Sequence, residues 1–305
     1  MIMPEFPDVT VYIEALSERV LNHSIQKIRI GSPFVLRSFD PPIGTAEGKK
    51  ILALRRLGKR IVFELEDDLF LIVHLMIAGR FHWKPRGAKI ARKYGQAAFD
   101  FHNGTLLLTE AGTKKRAAIH LVRGDAALQE HDPGGLEVLD ASIDSFREAL
   151  TRENHTLKRA LTDPHVFSGI GNAYSDEILH RARLSPIRMT QRMKDSEIET
   201  LFGAVRDSLT QWVDRLRKER GAGFPEKVTA FRPDMAVHGK YGKPCPVCGS
   251  PVQRIVHAEN ETNYCATCQT GGKLLADRSL SRLLKQDWPR SLEAMEEMKI
   301  ERRRD

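Results

Sequence analysis

The sequence predicts an α+β protein of several domains, and three observations carry that prediction. Residues 25 to 140 hold short alternating and apolar runs divided by Gly, Pro and Asn, which is the chemistry of strands and turns. From about residue 141 to 220 the apolar residues recur at helical spacing instead. All four cysteines then fall in one window, CPVCGSPVQRIVHAENETNYCATC, as two Cys-x-x-Cys pairs.

Size and charge set the outer bounds. A chain of 305 residues has room for about two domains and a core that needs no disulfides. Its longest apolar run, LFLIVHLMIA at 69 to 78, is far shorter than the roughly 20 residues that cross a bilayer, and reads as a buried strand. The first residues lack the basic and apolar regions of a secretory signal, so a reducing cytoplasm is the expected location. Lys and Arg number 48 against 40 Asp and Glu, a net charge of +8 that suits a polyanionic partner such as nucleic acid.

The elements follow in order. Pro4 and Pro7 in MPEFPD lack an amide hydrogen and press the residues before them toward extended geometry, so a helix is expected only from Asp8 onward. Asp8 is placed to cap it, and Val9, Tyr12, Ile13, Leu16 and Val20 recur at helical spacing. RIVFELEDDLFLIVHL, AAFDFHNGTLLLT and AAIHLVR read as strands, giving a largely β domain over 1–140. SIDSFREALTREN, TLKRALTD, GNAYSDEILHRARL and DSEIETLFGAVRDSLTQWVDRLRKER read as helices within a second domain over 141–235. The cysteine module is expected over 236–275 and a charged tail over 276–305, and no internal repeat is visible.

Cys245 and Cys248 are separated by 16 residues from Cys265 and Cys268. Each pair offers two thiolates from one tight turn, and two such knuckles joined by a short hairpin complete a tetrahedral zinc site. Four protein ligands leave no open position, so the zinc is expected to be structural and to fold a segment too small to fold alone. Two disulfides or free thiols are the competing reading, which a reducing compartment disfavours.

The order of these parts resembles the formamidopyrimidine-DNA glycosylase and endonuclease VIII family from Met3 to about Gln269. MPEFPDV is similar to the family's amino terminus and LGKRIVFEL to its lysine-bearing strand. SGIGNAYSDEIL is similar to its helix-two-turn-helix, and VHGKYGKPCPVCGSPV with NYCATCQ to its zinc finger. The resemblance implies an N-terminal β-sandwich with flanking helices, a helix-two-turn-helix domain and a C-terminal zinc-finger β-hairpin. It also implies a monomer that acts on damaged DNA, duplex or single-stranded, as a bifunctional glycosylase and abasic-site lyase.

In that family the initiator methionine is removed, so the resemblance makes Met3 the expected start and Pro4 the nucleophile. A free α-amine has a pKa near 8 and is partly unprotonated at neutral pH. A secondary amine that attacks C1′ of a damaged nucleoside gives an iminium cation, an electron sink for eliminating either the 3′ phosphate alone or the 3′ and then the 5′ phosphate. Glu5 is the expected proton carrier, and Lys59 matches the lysine that contacts phosphate near the lesion. Asp8 stays outside the catalytic set, because a helix cap accounts for it equally well. Gly171 and Asn172 are expected to grip the DNA backbone through a helix N-terminus. His74, Arg116, His238 and Lys240 complete the expected DNA contacts.

Departures from the family pattern matter too. Flipping a base leaves a hole that the family fills with a methionine, an arginine and a phenylalanine. Here Ile77 takes the methionine position with Met76 one place earlier, and the loop EAGTKKRAAIH supplies Arg116 without an aromatic residue. Asn260 replaces the family arginine of the zinc hairpin. Greater relative activity on unpaired lesions is the resulting expectation. Two other classes stay open: a non-catalytic DNA-structure binder that keeps Met1 and Ile2, and a zinc-ribbon factor needing only the cysteines.

Overall fold

The structure is a computed structural model that describes residues 3–226, 228, 232–257, 260–276 and 289–301. Met1 and Ile2, most of the charged tail (277–288 and 302–305) and parts of two loops lie outside the described residues. The chain forms two compact units, Met1–Gly135 with Leu209–Ala230, and Leu136–Ser208 with Phe231–Asp305.

The first unit opens with helix α1, Phe6–Val20, two residues earlier than the sequence suggests. Pro7 sits in its first turn, where the amides have no intrahelical acceptor and a missing N–H costs nothing. Glu5 is the N-cap, and Asp8, expected to be the cap, is the N3 partner whose Oδ2 accepts the Glu5 amide hydrogen at 3.1 Å.

Eight strands follow. Sheet one contains β1 (Lys27–Ile30), β6 (Gly95–Phe101), β7 (Gly104–Glu110) and β5 (Gly79–Lys84), in that order. Sheet two contains β2 (Ile51–Leu57), β3 (Arg60–Leu65), β4 (Leu69–His74) and β8 (Ala118–Arg123), and all these pairings are antiparallel. Alternate residues of the two sheets, Ile61, Phe63, Leu71, Val73, Phe99, Leu106 and Ile119 among them, meet in one core with Val9, Tyr12 and Leu16 of α1. This is the expected sandwich. Strands β3 and β4 are apolar on both faces because Val62, Phe70 and Ile72 pack outward against Leu128 of the short helix α2, Asp125–Gln129. That second packing explains the long apolar run at 69, although the strand ends at His74 and Leu75–Ala78 turn toward β5.

The second unit holds α3 (Ile143–Thr151), capped by Ser142, and α4 (Leu157–Thr162), capped by Thr156. Helix α5 (Asn172–Arg181) follows, then the start of α6 (Asp195–Arg220), whose last turns belong to the first unit. Strands β9 (Gln253–His257) and β10 (Asn260–Tyr264) form an antiparallel hairpin, followed by α7 (Ala266–Thr270) and by α8 (Leu292–Glu301) in the tail. No helix among the described residues is long and apolar enough to cross a membrane.

Candidate active site and nucleic-acid interface

In the first unit Pro4 and Glu5 are both buried immediately before α1. The reciprocal capping of Glu5 and Asp8 fixes the backbone there, which gives Asp8 a structural role. Lys59 lies in the two-residue turn between β2 and β3 rather than on a strand. Gly58 takes φ +60° there, the left-handed value a hairpin turn of this length requires at its first position. Arg56 of the same hairpin stacks 4.4 Å from the Phe6 ring centroid, tying the turn that bears Lys59 to the start of α1. Sequence alone gave no sign of this contact.

His74 ends β4, opposite Arg60 of β3 and Ala118 of β8. Its buried Nε2 has no hydrogen-bond partner among the described residues. Burial first, and then the charges of Arg60 and Lys59, push its pKa down to about 4, so the imidazole is neutral at pH 7. His120 of β8 shares that face and is likewise held near 4, mainly by burial. Its ring lies 4.5 Å from that of His131. A neutral N–H donor beside two cationic side chains is suited to a phosphate oxygen.

Met76 and Ile77 are half-buried in the β4–β5 turn, and Met76 takes φ +52°. That region is costly for a side chain bearing a Cβ. Arg116 is exposed on the β7–β8 loop, where Glu110 Oε1 accepts the amide hydrogens of Arg116 at 2.8 Å and Ala117 at 3.1 Å. Lys115 Nζ donates to the carbonyl of Glu110.

In the second unit Gly171 is the N-cap of α5 and Asn172 its first residue, as expected. Gly169 two residues before takes φ +78°. Asn172 is half-buried, and its Nδ2 donates to the Glu261 carbonyl of β10 at 2.9 Å. Beneath it lies a buried ionic cluster. Asp176 accepts from Lys158 Nζ at 2.5 Å on one oxygen, and from His238 Nδ1 at 2.7 Å and the Asn263 amide at 3.1 Å on the other. Lys158 also donates to the Asn172 carbonyl at 2.7 Å. Glu177 accepts three consecutive amides, those of Ala236, Val237 and His238, at 2.8 to 2.9 Å.

His238 is therefore an interior residue of this cluster, and Lys240 Nζ donates to the Pro233 carbonyl. Lys158, Asp176 and Glu177 escaped sequence reasoning. The signal was present, since two adjacent acids between the apolar pairs Ala173-Tyr174 and Ile178-Leu179 must find partners if buried.

The four cysteine sulfurs lie within 4.8 Å of one another, Cys245 to Cys268 at 3.9 Å and Cys248 to Cys265 at 3.4 Å. Tetrahedral zinc with bonds of about 2.3 Å places its sulfurs about 3.8 Å apart, so the donor set fits one structural zinc ion and excludes disulfides. Gln269 braces the site, accepting the Cys265 amide at 2.8 Å and donating to the Leu184 carbonyl at 2.9 Å. At Asn260 the backbone opens β10, and its side chain lies outside the described residues.

Comparisons with known proteins agree with these parts. Residues 3–115 match the formamidopyrimidine-DNA glycosylase N-terminal domain, 135–219 the formamidopyrimidine-DNA glycosylase H2TH domain, and 242–271 the zinc finger found in FPG and IleRS. The formamidopyrimidine-DNA glycosylase of Thermus thermophilus is 31% identical over 282 residues, covering 88% of this chain and all of that relative. A formamidopyrimidine-DNA glycosylase-like protein of Mycobacterium tuberculosis is 41% identical over 151 residues, 50% of this chain and 94% of its own. Lactococcus lactis Fpg bound to DNA containing an abasic site superposes with a TM-score of 0.77 at 26% identity, over 87% of this chain and 99% of that one. The same enzyme bound to Fapy-dG DNA gives 0.77 at 27% identity, over 87% and 100%. A sandwich, a helix-two-turn-helix and a four-cysteine finger in this order, matched along nearly the whole chain, place it in the formamidopyrimidine-DNA glycosylase family of base-excision repair enzymes.

Proposed function

We propose that this glycosylase releases oxidised bases through Pro4 and then cleaves the abasic site. The observation that carries the reading is the Pro4-Glu5 pair held against α1, at the second and third positions of the family match that begins at Met3. An amide nitrogen is not a nucleophile, so the chemistry requires a chain that starts at Pro4 after removal of Met3. The Pro4 lone pair then adds to C1′ and the C1′–base bond breaks. The proline N–H proton passes through solvent to the departing base, Glu5 protonates O4′ as the sugar ring opens, and an iminium remains. Removal of a C2′ proton then expels the 3′ phosphate, with the iminium as electron sink. Lys59 and the neutral N–H of His74 hold phosphate in the first unit, with Arg116 beside the gap. Gly171 and Asn172 hold it in the second, with Lys240 nearby, and His238 supports that surface from within.

The enzyme is read as a cytoplasmic monomer, its DNA affinity falling steeply with salt. Borohydride trapping on an abasic-site oligonucleotide tests the mechanism: a covalent adduct is expected, and mapping it to any residue but Pro4 would sink the assignment. Mass spectrometry of the protein from its source is expected to find Pro4 first. An active form that retains Met1 would sink Pro4 as the nucleophile, whereas an inactive form that retains it would support the non-catalytic or lyase-weakened DNA binder.

A further inference from the structure

We propose that the segment Pro33–Phe39 of the first unit is a stacking platform for unpaired nucleotides, an inference that rests on the DNA-repair reading and narrows its substrate. Phe39 and Phe34 are 82% and 76% exposed, more than any other large apolar side chain among the described residues. Single exposed apolar residues are ordinary. Here, however, two rings flank an exposed arginine, Arg37, on a backbone that is held firmly. Val35 is buried in the sandwich core, and Leu36 bridges Ile119 of β8 in parallel. The Arg37 amide donates to the Ile119 carbonyl at 2.9 Å, and Ser38 Oγ both accepts from the Leu121 amide and donates to the Leu121 carbonyl.

The edge of β8 is thereby closed, and the rings are presented by a rigid strip. Arg37 and Arg60 both act on His120 of β8, while the exposed Asp40 follows Phe39 directly. Two rings beside a cation fit a polyanion whose bases offer free π-faces, and paired duplex hides those faces. A protein partner fits less well, because the patch is small and its centre is cationic.

The test compares the full chain with Phe34→Ala/Phe39→Ala and Arg37→Gln by anisotropy, on a labelled single-stranded oligonucleotide and on a duplex of equal length. The double variant is expected to bind the single strand about ten-fold more weakly with an unchanged salt slope, because stacking and not phosphate contact is removed. Its duplex binding is expected to stay within about two-fold, and its melting temperature unchanged because both rings are exposed. Arg37→Gln should lower the salt slope by about one. Unchanged single-strand affinity, or an equal loss on both forms, overturns the proposal and leaves the patch to a protein partner. A wild-type protein that binds neither form would instead sink the DNA reading itself.

An independent observation in the second unit carries a second inference. His180, near the end of α5, is buried with its Nε2 3.3 Å from Cys245 Sγ. We infer that His180 is a positioning residue, donating an N–H to the Cys245 thiolate and coupling the zinc knuckle to the helix that begins with Asn172. Such a donor spreads the thiolate charge and fixes its direction toward the metal. In cobalt-substituted protein, His180→Ala is expected to shift the thiolate-to-metal charge-transfer band and to speed metal loss to a chelator about ten-fold, with His180→Gln partly restoring both. An unmoved band and an unchanged rate in a folded His180→Ala protein would overturn it.

Discussion

The two units hold their candidate functional residues in opposite ways. In the first, Glu5, Lys59, His74 and Arg116 stand at a helix start, a hairpin turn, a strand end and a loop, with the Arg56–Phe6 stack tying the Lys59 turn to the helix start. In the second, Asn172 stands over a buried network of Lys158, Asp176, Glu177, His238 and Asn263 that joins α5 to the zinc hairpin. The difference teaches where each kind of damage will show. A change at a first-unit residue should remove a chemical step and leave the fold, whereas a change inside the second-unit network should loosen the fold and with it the grip on DNA.

The largest expected effect on chemistry is at Glu5. Glu5→Gln keeps an oxygen to accept at the start of α1 but cannot deliver a proton, so single-turnover base release should fall at least about 100-fold. Stability should change by no more than about 1 kcal/mol, the scale of one cap. A melting curve alongside the kinetics decides it, and a large loss of stability would erase the contrast between the units.

Asp176→Asn is the converse experiment. Asp176 is wholly buried, and its neutral replacement leaves the Lys158 ammonium uncompensated and cannot accept from His238 and Asn263 as before. Breaking a buried pair in this way costs about 3–5 kcal/mol. Denaturant unfolding should show that loss, and DNA affinity should fall with it, while the intrinsic rate on saturating substrate changes little. A variant of normal stability would show that the network is not what holds the hairpin.

Acid should act on the first unit. His74 and His120 have folded pKa values near 4 against an ordinary 6.5, so below pH 6.5 the unfolded chain takes up protons that the folded one refuses. Their contribution is complete above about 6.5 and is lost as pH falls toward 4, on the order of 2 kcal/mol for the more buried His74. Melting temperature followed from pH 7 to 4 should fall, and His74→Gln should flatten part of that slope. A slope that survives His74→Gln/His120→Gln unchanged would assign it to other groups.

Parts of this molecule were open to sequence reasoning for definable reasons. The zinc site was legible because four thiols at knuckle spacing have few other uses, and the β character of the first domain because strand-like runs are divided by Gly, Pro and Asn turns; the sandwich itself came from the family resemblance, since β3 and β4 are apolar on both faces and do not alternate. Pro7 misled about the start of α1, because proline forbids a helix interior but not its first turn. Lys59 was placed on a strand because the turn that holds it is only two residues long. The Asp176 cluster stayed hidden because helical periodicity records which face is buried, and not that a lysine 18 residues earlier and a histidine 62 residues later will meet an acid there.

The smallest expected effect sharpens the same contrast at Met76. The β4–β5 turn closes with the Gly79 amide donating to the Leu75 carbonyl at 2.9 Å, and this geometry holds Met76 at φ +52°. A residue with a Cβ loses about 1–2 kcal/mol in that region, and glycine, freed from that strain, brings extra unfolded-chain entropy of roughly 0.5–1 kcal/mol. Met76→Gly should therefore alter stability by no more than about 1 kcal/mol. Because Met76 is half-buried in the turn, excision of one lesion from a single-stranded oligonucleotide should be unchanged, and excision from duplex should drop less than about two-fold. Single-turnover rates on the two substrates at equal ionic strength make the comparison. A selective loss on duplex would mean that Met76 fills the gap left by the flipped base, that the strained turn exists to aim it, and that the family's wedge has moved one residue rather than disappeared.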